Sequence, residues 1–341
     1  MSILFPTSAT LKETEKAKLP LLTQDDAAFE LFPMVMEDTV DLMWEQEDNY
    51  TGLQNVRGLN GQPGKVKPIG YKRFKAEPGF YGDYSDLEEK EITERRKLGT
   101  FGETIDLNDV IMKRQDQLLA RRLDRIRWTI WTLLTTGTFS VSNESGGIVH
   151  TDTYPLQTSS GSDWSTVATA TPLADFRAIK LLARGYSVKF DQTANAYMSL
   201  GTANYLLNNT NSSDLHGKRM DVGATFNSIV DINKVLAAQD LPQIVIYDET
   251  YFADSAPTTP VLFLPVDKVV VIGKRKNGAP IGDVCAVRNA NNPDAGPGPY
   301  TKVTDSASAS MDPVPRKVRV DDGWNGGLRI YYPSACIVMS V

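Results

Sequence analysis

A polar, glycine-punctuated stretch from Thr51 to Thr100 runs directly into one uninterrupted helical pattern, and this juncture constrains the chain more than any other feature. Apolar residues in the stretch stand singly, so it cannot bury itself against a core of its own. Loops of that length without internal structure are uncommon in compact domains and are usually functional or disordered. Asn60-Gly61 suits both positive-φ positions of a tight turn, which predicts a long two-stranded hairpin with its tip near Asn60 to Gly64. From Asn108 to Thr136, Ile111, Leu119, Leu123, Ile126, Ile130 and Leu133 recur at three- and four-residue steps, an amphipathic stripe. Such a helix is about 43 Å long, with Asn108 or Asp109 as N-cap and Gly137 as its stop. A projecting arm beside a spine helix is the geometry of a subunit that completes itself against neighbours.

The polar side of the helix is basic, carrying Arg114, Arg121, Arg122, Arg125 and Arg127. It reads as a solvated face; the alternative is a surface that meets acidic neighbours or phosphate. The chain as a whole is acidic, with 36 basic against 42 acidic residues and a net charge of −6. That argues against a sequence-reading nucleic-acid binder, which normally shows a basic face or arm. The 341 residues, 41% of them hydrophobic, suffice for a sizeable core and two subdomains. The two cysteines, Cys285 and Cys336, lie in no CxxC or Cys–His spacing, so structural zinc and a redox dithiol are not expected, and reduced core thiols are. The N-terminus lacks a basic start followed by an apolar run, and no apolar run approaches a membrane span. A cytoplasmic site of synthesis and no membrane partner follow as expectations.

Before the loop, Pro6, Pro20 and Pro33 interrupt regular elements, and Phe29, Phe32 and Trp44 are spaced as anchors of an arm; a packed N-terminal extension is the equal alternative. After Gly137 the pattern turns β-like. From Pro172 to Leu264 it mixes: a helix from Leu173 to Arg184, a strand near Ala196–Leu200, short helices near Ala203–Leu207 and Ile232–Gln239, and a buried strand Ile244–Tyr247. Strands Val261–Leu264 and Val269–Ile272 complete a compact α/β lobe. Asn277-Gly278 marks a second turn, and Asn325-Gly326 a third, joining Arg316–Val320 to Leu328–Tyr332. The apolar C-terminus, with Ile337, Val338 and Val341, must be paired inside the fold.

A catalytic constellation does not emerge. There is no GxxxxGK[ST] phosphate loop and no GxSxG elbow. His150 and His216 are the only histidines, too few for a triad or a metal cluster. The acidic pairs Asp83 with Asp86, Glu88-Glu89 and Asp321-Asp322 read as solvated residues of polar turns rather than converging carboxylates. No catalytic residue, cofactor or metal is expected, and the chain points to a structural role.

In this order the pattern resembles the major capsid proteins of tailed bacteriophages, particularly the lambda-like branch (the Hong Kong 97-type capsid fold, major capsid protein E family). The order and spacing of arm, loop, spine helix, sheet, α/β lobe and terminal strands carry the resemblance. Local matches add to it: Gly161-Ser162-Asp163-Trp164-Ser165, Phe263-Leu264-Pro265-Val266-Asp267, and Tyr300-Thr301-Lys302-Val303 ahead of Tyr332-Pro333-Ser334-Ala335. The resemblance implies an α+β fold. Its parts would be an N-terminal arm (1–50), an extended β-hairpin or E-loop (51–100), a peripheral domain (101–171) with spine helix 108–136 and a β-sheet, and an axial α/β domain (172–290). Residues 291–341 would return to the peripheral sheet and the C-terminal strand.

It further implies self-assembly into hexamers and pentamers of an icosahedral head shell around double-stranded DNA held without sequence-specific binding. Its partners would be a separate scaffolding protein and a portal protein, with a decoration protein left open. The virion head shell is its expected place. Assembly contacts are expected at Asn60, Gly61, Lys65, Lys67, Lys72, Arg73, Arg95 and Arg96. Some relatives crosslink a loop lysine to an asparagine, but Lys65, Lys67, Lys72, Lys75 and Lys90 have no matching partner residues here, so no crosslink is expected. The competing readings are a nanocompartment shell of the same fold, an α/β enzyme, and a phage tail or fibre subunit.

Overall fold

The computed structural model describes residues 8–47, 53–66, 71–88, 90–91, 106–142, 148–154, 156–184, 188–215, 228–253, 258–275, 280–292, 295–305 and 317–341. Along the chain run α1 (Ser8–Thr23), α2 (Ala27–Leu31), β1 (Met34–Met36), β2 (Leu42–Glu47), β3 (Tyr71–Ala76), β4 (Gly79–Glu88), α3 (Leu107–Thr136), β5 (Thr138–Ser142), β6 (Ile148–Thr153) and β7 (Gln157–Ser160). There follow α4 (Pro172–Leu182), β8 (Val188–Lys189), β9 (Asn195–Met198), α5 (Leu200–Leu207), α6 (Ile229–Ala238), β10 (Gln243–Ile246), β11 (Thr250–Phe252) and β12 (Pro260–Leu262). The chain closes with β13 (Lys268–Ile272), β14 (Lys274–Arg275), β15 (Gly282–Ala286), β16 (Tyr300–Asp305), β17 (Lys317–Ile330) and β18 (Cys336–Ser340). The chain divides into two compact units, the first of Met1–Leu42, Ala76–Trp128 and Asp283–Arg329, the second of Met43–Lys75, Thr129–Gly282 and Ile330–Val341.

The first unit is organised by β17. It pairs antiparallel with β4 from Lys317↔Glu88 to Gly326↔Gly79, and with β16 from Val318↔Asp305 to Gly323↔Tyr300. Because the same residues pair twice, β4 and β16 lie on opposite edges of β17. The sheet continues through β15 to β1, which pairs in parallel. Against it packs the apolar stripe of α3: Val110, Ile111 and Leu118 bury with Leu87, Val318 and Val320. The helix starts where Asp106 Oδ1 accepts from the Asn108 N–H, slightly earlier than the sequence suggests. It stops at Gly137, whose φ of 72° is open to glycine and whose N–H donates to Leu133 O.

Two expectations fail here. Asn325-Gly326 is no turn: β17 runs straight through it. Asn325 Nδ2 donates to Arg288 O, and its Oδ1 accepts from Asn289. A Cβ on Gly326 would sit 2.3 Å from Cys285 O, so glycine is needed here for close strand approach rather than for a turn. Nor does Pro20 interrupt regular structure: α1 carries it inside, and the N-terminal segment is packed, as its alternative reading has it. Burial of Leu11, the bond from Gln115 Nε2 to Leu11 O and the Lys18–Asp116 ion pair at 2.6 Å hold that helix in place, tertiary contacts overriding local preference.

The second unit holds a five-stranded sheet in the order β10-β9-β13-β18-β7. The C-terminal strand β18 is internal, antiparallel to β13 and parallel to β7. Cys336 to Met339 are therefore buried on both faces instead of alternating. The helices α5 and α6 start earlier than expected, at serine caps: Ser199 Oγ accepts from Thr202 N, and Ser228 Oγ from Asp231 N. Trp131 packs against Tyr197 and Tyr247, with ring centroids 5.6 and 4.5 Å apart. Cys285 in the first unit and Cys336 in the second are buried, unbridged thiols, each pushed up to about 12 by burial.

Candidate assembly interface

The expected hairpin exists, in altered form. Its ladder joins β2 to β3 and so begins before residue 51. Trp44 anchors its base, stacked on Phe74 at 5.5 Å and on Tyr154 at 5.9 Å. Beyond the ladder, residues 53–66 form no strand. They fold back at a turn closed by Gly61 N–H to Gly58 O, 2.9 Å, which puts Leu59 and Asn60 at its centre instead of Asn60 and Gly61. The two arms stay close: a Cβ on Gly64 would meet Asn55 Nδ2 at 2.4 Å. Residues 79–88, expected in the same loop, are instead the strand β4.

The loop leaves its apolar side chains in water. Leu53, Val56 and Leu59 are 98%, 100% and 98% exposed. Covering each is worth roughly 1.5–3 kcal/mol, so three neighbouring ones form a surface that gains from a partner. Arg57 Nη1 donates to Gly61 O of its own turn at 3.2 Å, and Lys65 is exposed.

Of the residues singled out from sequence, Asn60, Gly61 and Lys65 cluster on this tip. Lys72 and Arg73 lie on β3, where Arg73 Nη2 pairs with Glu45 on β2 at 2.7 Å. Lys67, Arg95 and Arg96 lie outside the described residues, as do His216 and Asn277-Gly278. The exposed Leu53, Val56 and Leu59 are functional candidates that the sequence scarcely marks. Single apolar residues flanked by Gly, Asn and Gln were their only signal.

The basic side of α3 is a solvated face only in part: Arg121 and Arg125 are exposed, Arg122 is buried, and all five arginines have partners within the fold. Arg114 pairs with Glu91 at 2.5 Å, Arg121 with Asp83 at 2.8 Å, and Arg127 with Asp26 at 2.5 Å. The Arg125 guanidinium lies over the rings of Trp128 and Tyr81, at 4.7 and 5.5 Å. Arg122 is buried, bonded to Glu15 of α1 and, at 2.9 Å, to Asp322 of β17. The acidic pairs read as solvated turns thus supply part of this network. Thr301 Oγ1 donates within the same buried cluster, 3.1 Å from Asp322 Oδ1. One guanidinium serves two buried carboxylates, and burial pushes the Asp322 carboxyl up to about 6, against the pull of Arg122. The arrangement pins α1, α3, β16 and β17 together.

Among the described residues no group of three or more His, Cys, Asp or Glu side chains could hold a metal ion, and no helix is long and apolar enough to cross a membrane.

No family model and no curated protein matches the chain. Solved structures do. A protein of an E. coli CFT073 prophage, assigned as its capsid protein, is 13% identical, with a TM-score of 0.55 over 96% of this chain and 98% of that one. A phage-related protein of Bordetella bronchiseptica RB50 is 10% identical, with a TM-score of 0.51 over 98% of this chain and 95% of that one. At such identities the likeness is one of fold, and it extends from end to end: the chain has the α+β Hong Kong 97-type capsid fold.

Proposed function

We propose that this chain is the major capsid protein of a tailed phage, assembling into hexamers and pentamers that close as the icosahedral head shell around double-stranded DNA. The observation that carries this reading is the end-to-end fold likeness to a prophage capsid protein. The hairpin tip supports it, since a single copy leaves Leu53, Val56 and Leu59 uncovered. Modest contacts of this kind, repeated by symmetry, add up to a stable assembly. The contact set includes Asn60, Gly61, Lys65, Lys67, Lys72, Arg73, Arg95 and Arg96. A separate scaffolding protein, a portal protein and a decoration protein are its proposed partners, and the shell is built in the host cytoplasm.

Negative-stain electron microscopy of the full chain, expressed alone and with a scaffolding protein, tests the reading. Closed shells or hexameric rings are expected. Particles that protect protein cargo and no DNA would move the reading to a nanocompartment. A monodisperse monomer under every condition would overturn it in favour of an enzyme.

A further inference from the structure

Within the first unit, beside α1 and α2, lies a cleft of about 540 Å³. Leu19, Phe29, Pro33 and Met34 give it apolar walls, and Asp25 and Glu30 give it negative charge. That volume is in the usual range of pockets that enclose apolar groups. The two acids differ from their neighbours. Asp26 is consumed by Arg127, Glu15 by Arg122 and Asp116 by Lys18. Asp25 and Glu30 are exposed and have no ion-pair partner among the described residues. Asp25 also adopts a φ of 60°, the left-handed turn that ends the run from α1 into α2. Its backbone is thus set by the corner itself.

The hairpin tip has the complementary character. Residues 53–66 contain Arg57 and Lys65 and no acidic residue, and the side chains of Leu53, Val56 and Leu59 are almost fully exposed. We infer that the hairpin tip of one copy docks in this N-terminal cleft of a second copy, Leu59 and its apolar neighbours entering between Leu19, Phe29, Pro33 and Met34 while Arg57 and Lys65 face Asp25 and Glu30. The inference rests on the shell reading and adds to it the receptor for the loop. Burial of the apolar tip supplies affinity, and the charge match supplies register and selects against other seats. The edge strand β1 begins at Met34 in the cleft wall and has no strand on its outer side among the described residues, so the approach there is not blocked by the sheet.

Charge reversal tests the docking. The double variant Arg57→Glu with Lys65→Glu and the double variant Asp25→Lys with Glu30→Lys are each compared with the parent, and then with each other mixed. Assembly is followed by light scattering and microscopy. Each variant alone is expected to raise the protein concentration needed for assembly about tenfold or more, since attractions become repulsions. The quadruple variant, with both sets reversed, is expected to recover most of the loss. A quadruple variant no better than the doubles overturns the docking, as does a cleft variant that assembles like the parent; both leave the shell reading intact. A parent chain that never assembles overturns the shell reading and the docking with it. Should a reversal disturb folding, copies carrying Leu59→Cys mixed with copies carrying Thr23→Cys provide the second measurement. An interchain disulfide in assembled particles is expected, and assembled particles without it refute the docking.

Discussion

Replacing Asp322 by Asn should abolish part of the pH dependence of stability of the first unit. The wild-type carboxyl is pushed up to about 6 from its ordinary value of 3.8, chiefly by burial, with Arg122 lowering it and Glu15 raising it. A raised carboxylate binds its proton more tightly folded than unfolded. Its stabilising effect is therefore full below the unfolded value and fades as pH rises through the folded one. Between pH 5 and pH 7 the folded side chain passes from mostly protonated to mostly ionised, while the unfolded one is ionised throughout. The linkage amounts to a loss of about 1.3 kcal/mol across that window.

In Asp322→Asn that loss is absent, and Arg122 keeps Glu15 as a single, charge-matched partner. The assay is urea unfolding of wild type and variant at both pH values. The difference of differences cancels the titrating groups that do not interact with Asp322. A wild type that gains about 1 kcal/mol more than the variant on acidification is expected. Equal gains would refute the shared-guanidinium account. Arg122→Met is the counterpart: it leaves Glu15 and Asp322 buried without their cation and should cost about 3–5 kcal/mol at pH 7.

Three further outcomes are expected. Ile126→Asp puts an unpaired charge where the native side chain is 1% exposed, and should prevent folding by costing about 4 kcal/mol or more; a cooperative melt near the wild-type temperature would count against the buried face of α3. Gly326→Ala forces a methyl against Cys285 O and the Trp324 ring, a crowding worth about 1–3 kcal/mol, visible as a lowered Tm. Deleting residues 55–70 removes the exposed tip but not the Trp44 anchor, so a soluble protein with normal circular dichroism but no closed shells should result; wild-type particles would sink the role given to the tip.

What the sequence made legible follows from which signals are local. The α3 stripe and its glycine stop depend on neighbours within a few residues, and they lie within a residue or two of where the pattern puts them, whereas α5 and α6 begin three residues before their expected starts, at serine caps the apolar pattern does not mark. Asn325-Gly326 carries the same local signal as a hairpin turn, yet the pressure of Cys285 and Trp324 on that strand decides its conformation, and no local pattern encodes such a neighbour. Pro20 misled in the same way, because what holds α1 is Leu11, Glu15 and Lys18 reaching residues about a hundred or more positions away. At the site, the tip was legible as a turn in a polar loop. Its receptor was not, since Asp25 and Glu30 look like any surface acids until their neighbours prove to be paired.

The basic face of α3 bears on what such a subunit can do with DNA. Read from sequence, five arginines on one helix leave a phosphate-facing surface open as an alternative. In the structure Arg114, Arg121, Arg122 and Arg127 are bonded to carboxylates, and Arg125 lies on two aromatic rings. Gripping phosphate with them would break existing pairs, and for Arg122 would strand two buried acids. A protein that neutralises many phosphates acquires a steep, counterion-driven affinity. Pairing these cations within the chain, with Arg122 buried, lowers that affinity without lowering the chain's arginine content. It also concentrates the binding energy left over, the uncovered Leu53, Val56 and Leu59, in a segment suited to contacting protein rather than nucleic acid. The same placement of charge that stiffens the first unit therefore fits the proposed shell subunit, which would hold its own kind firmly and its contents loosely.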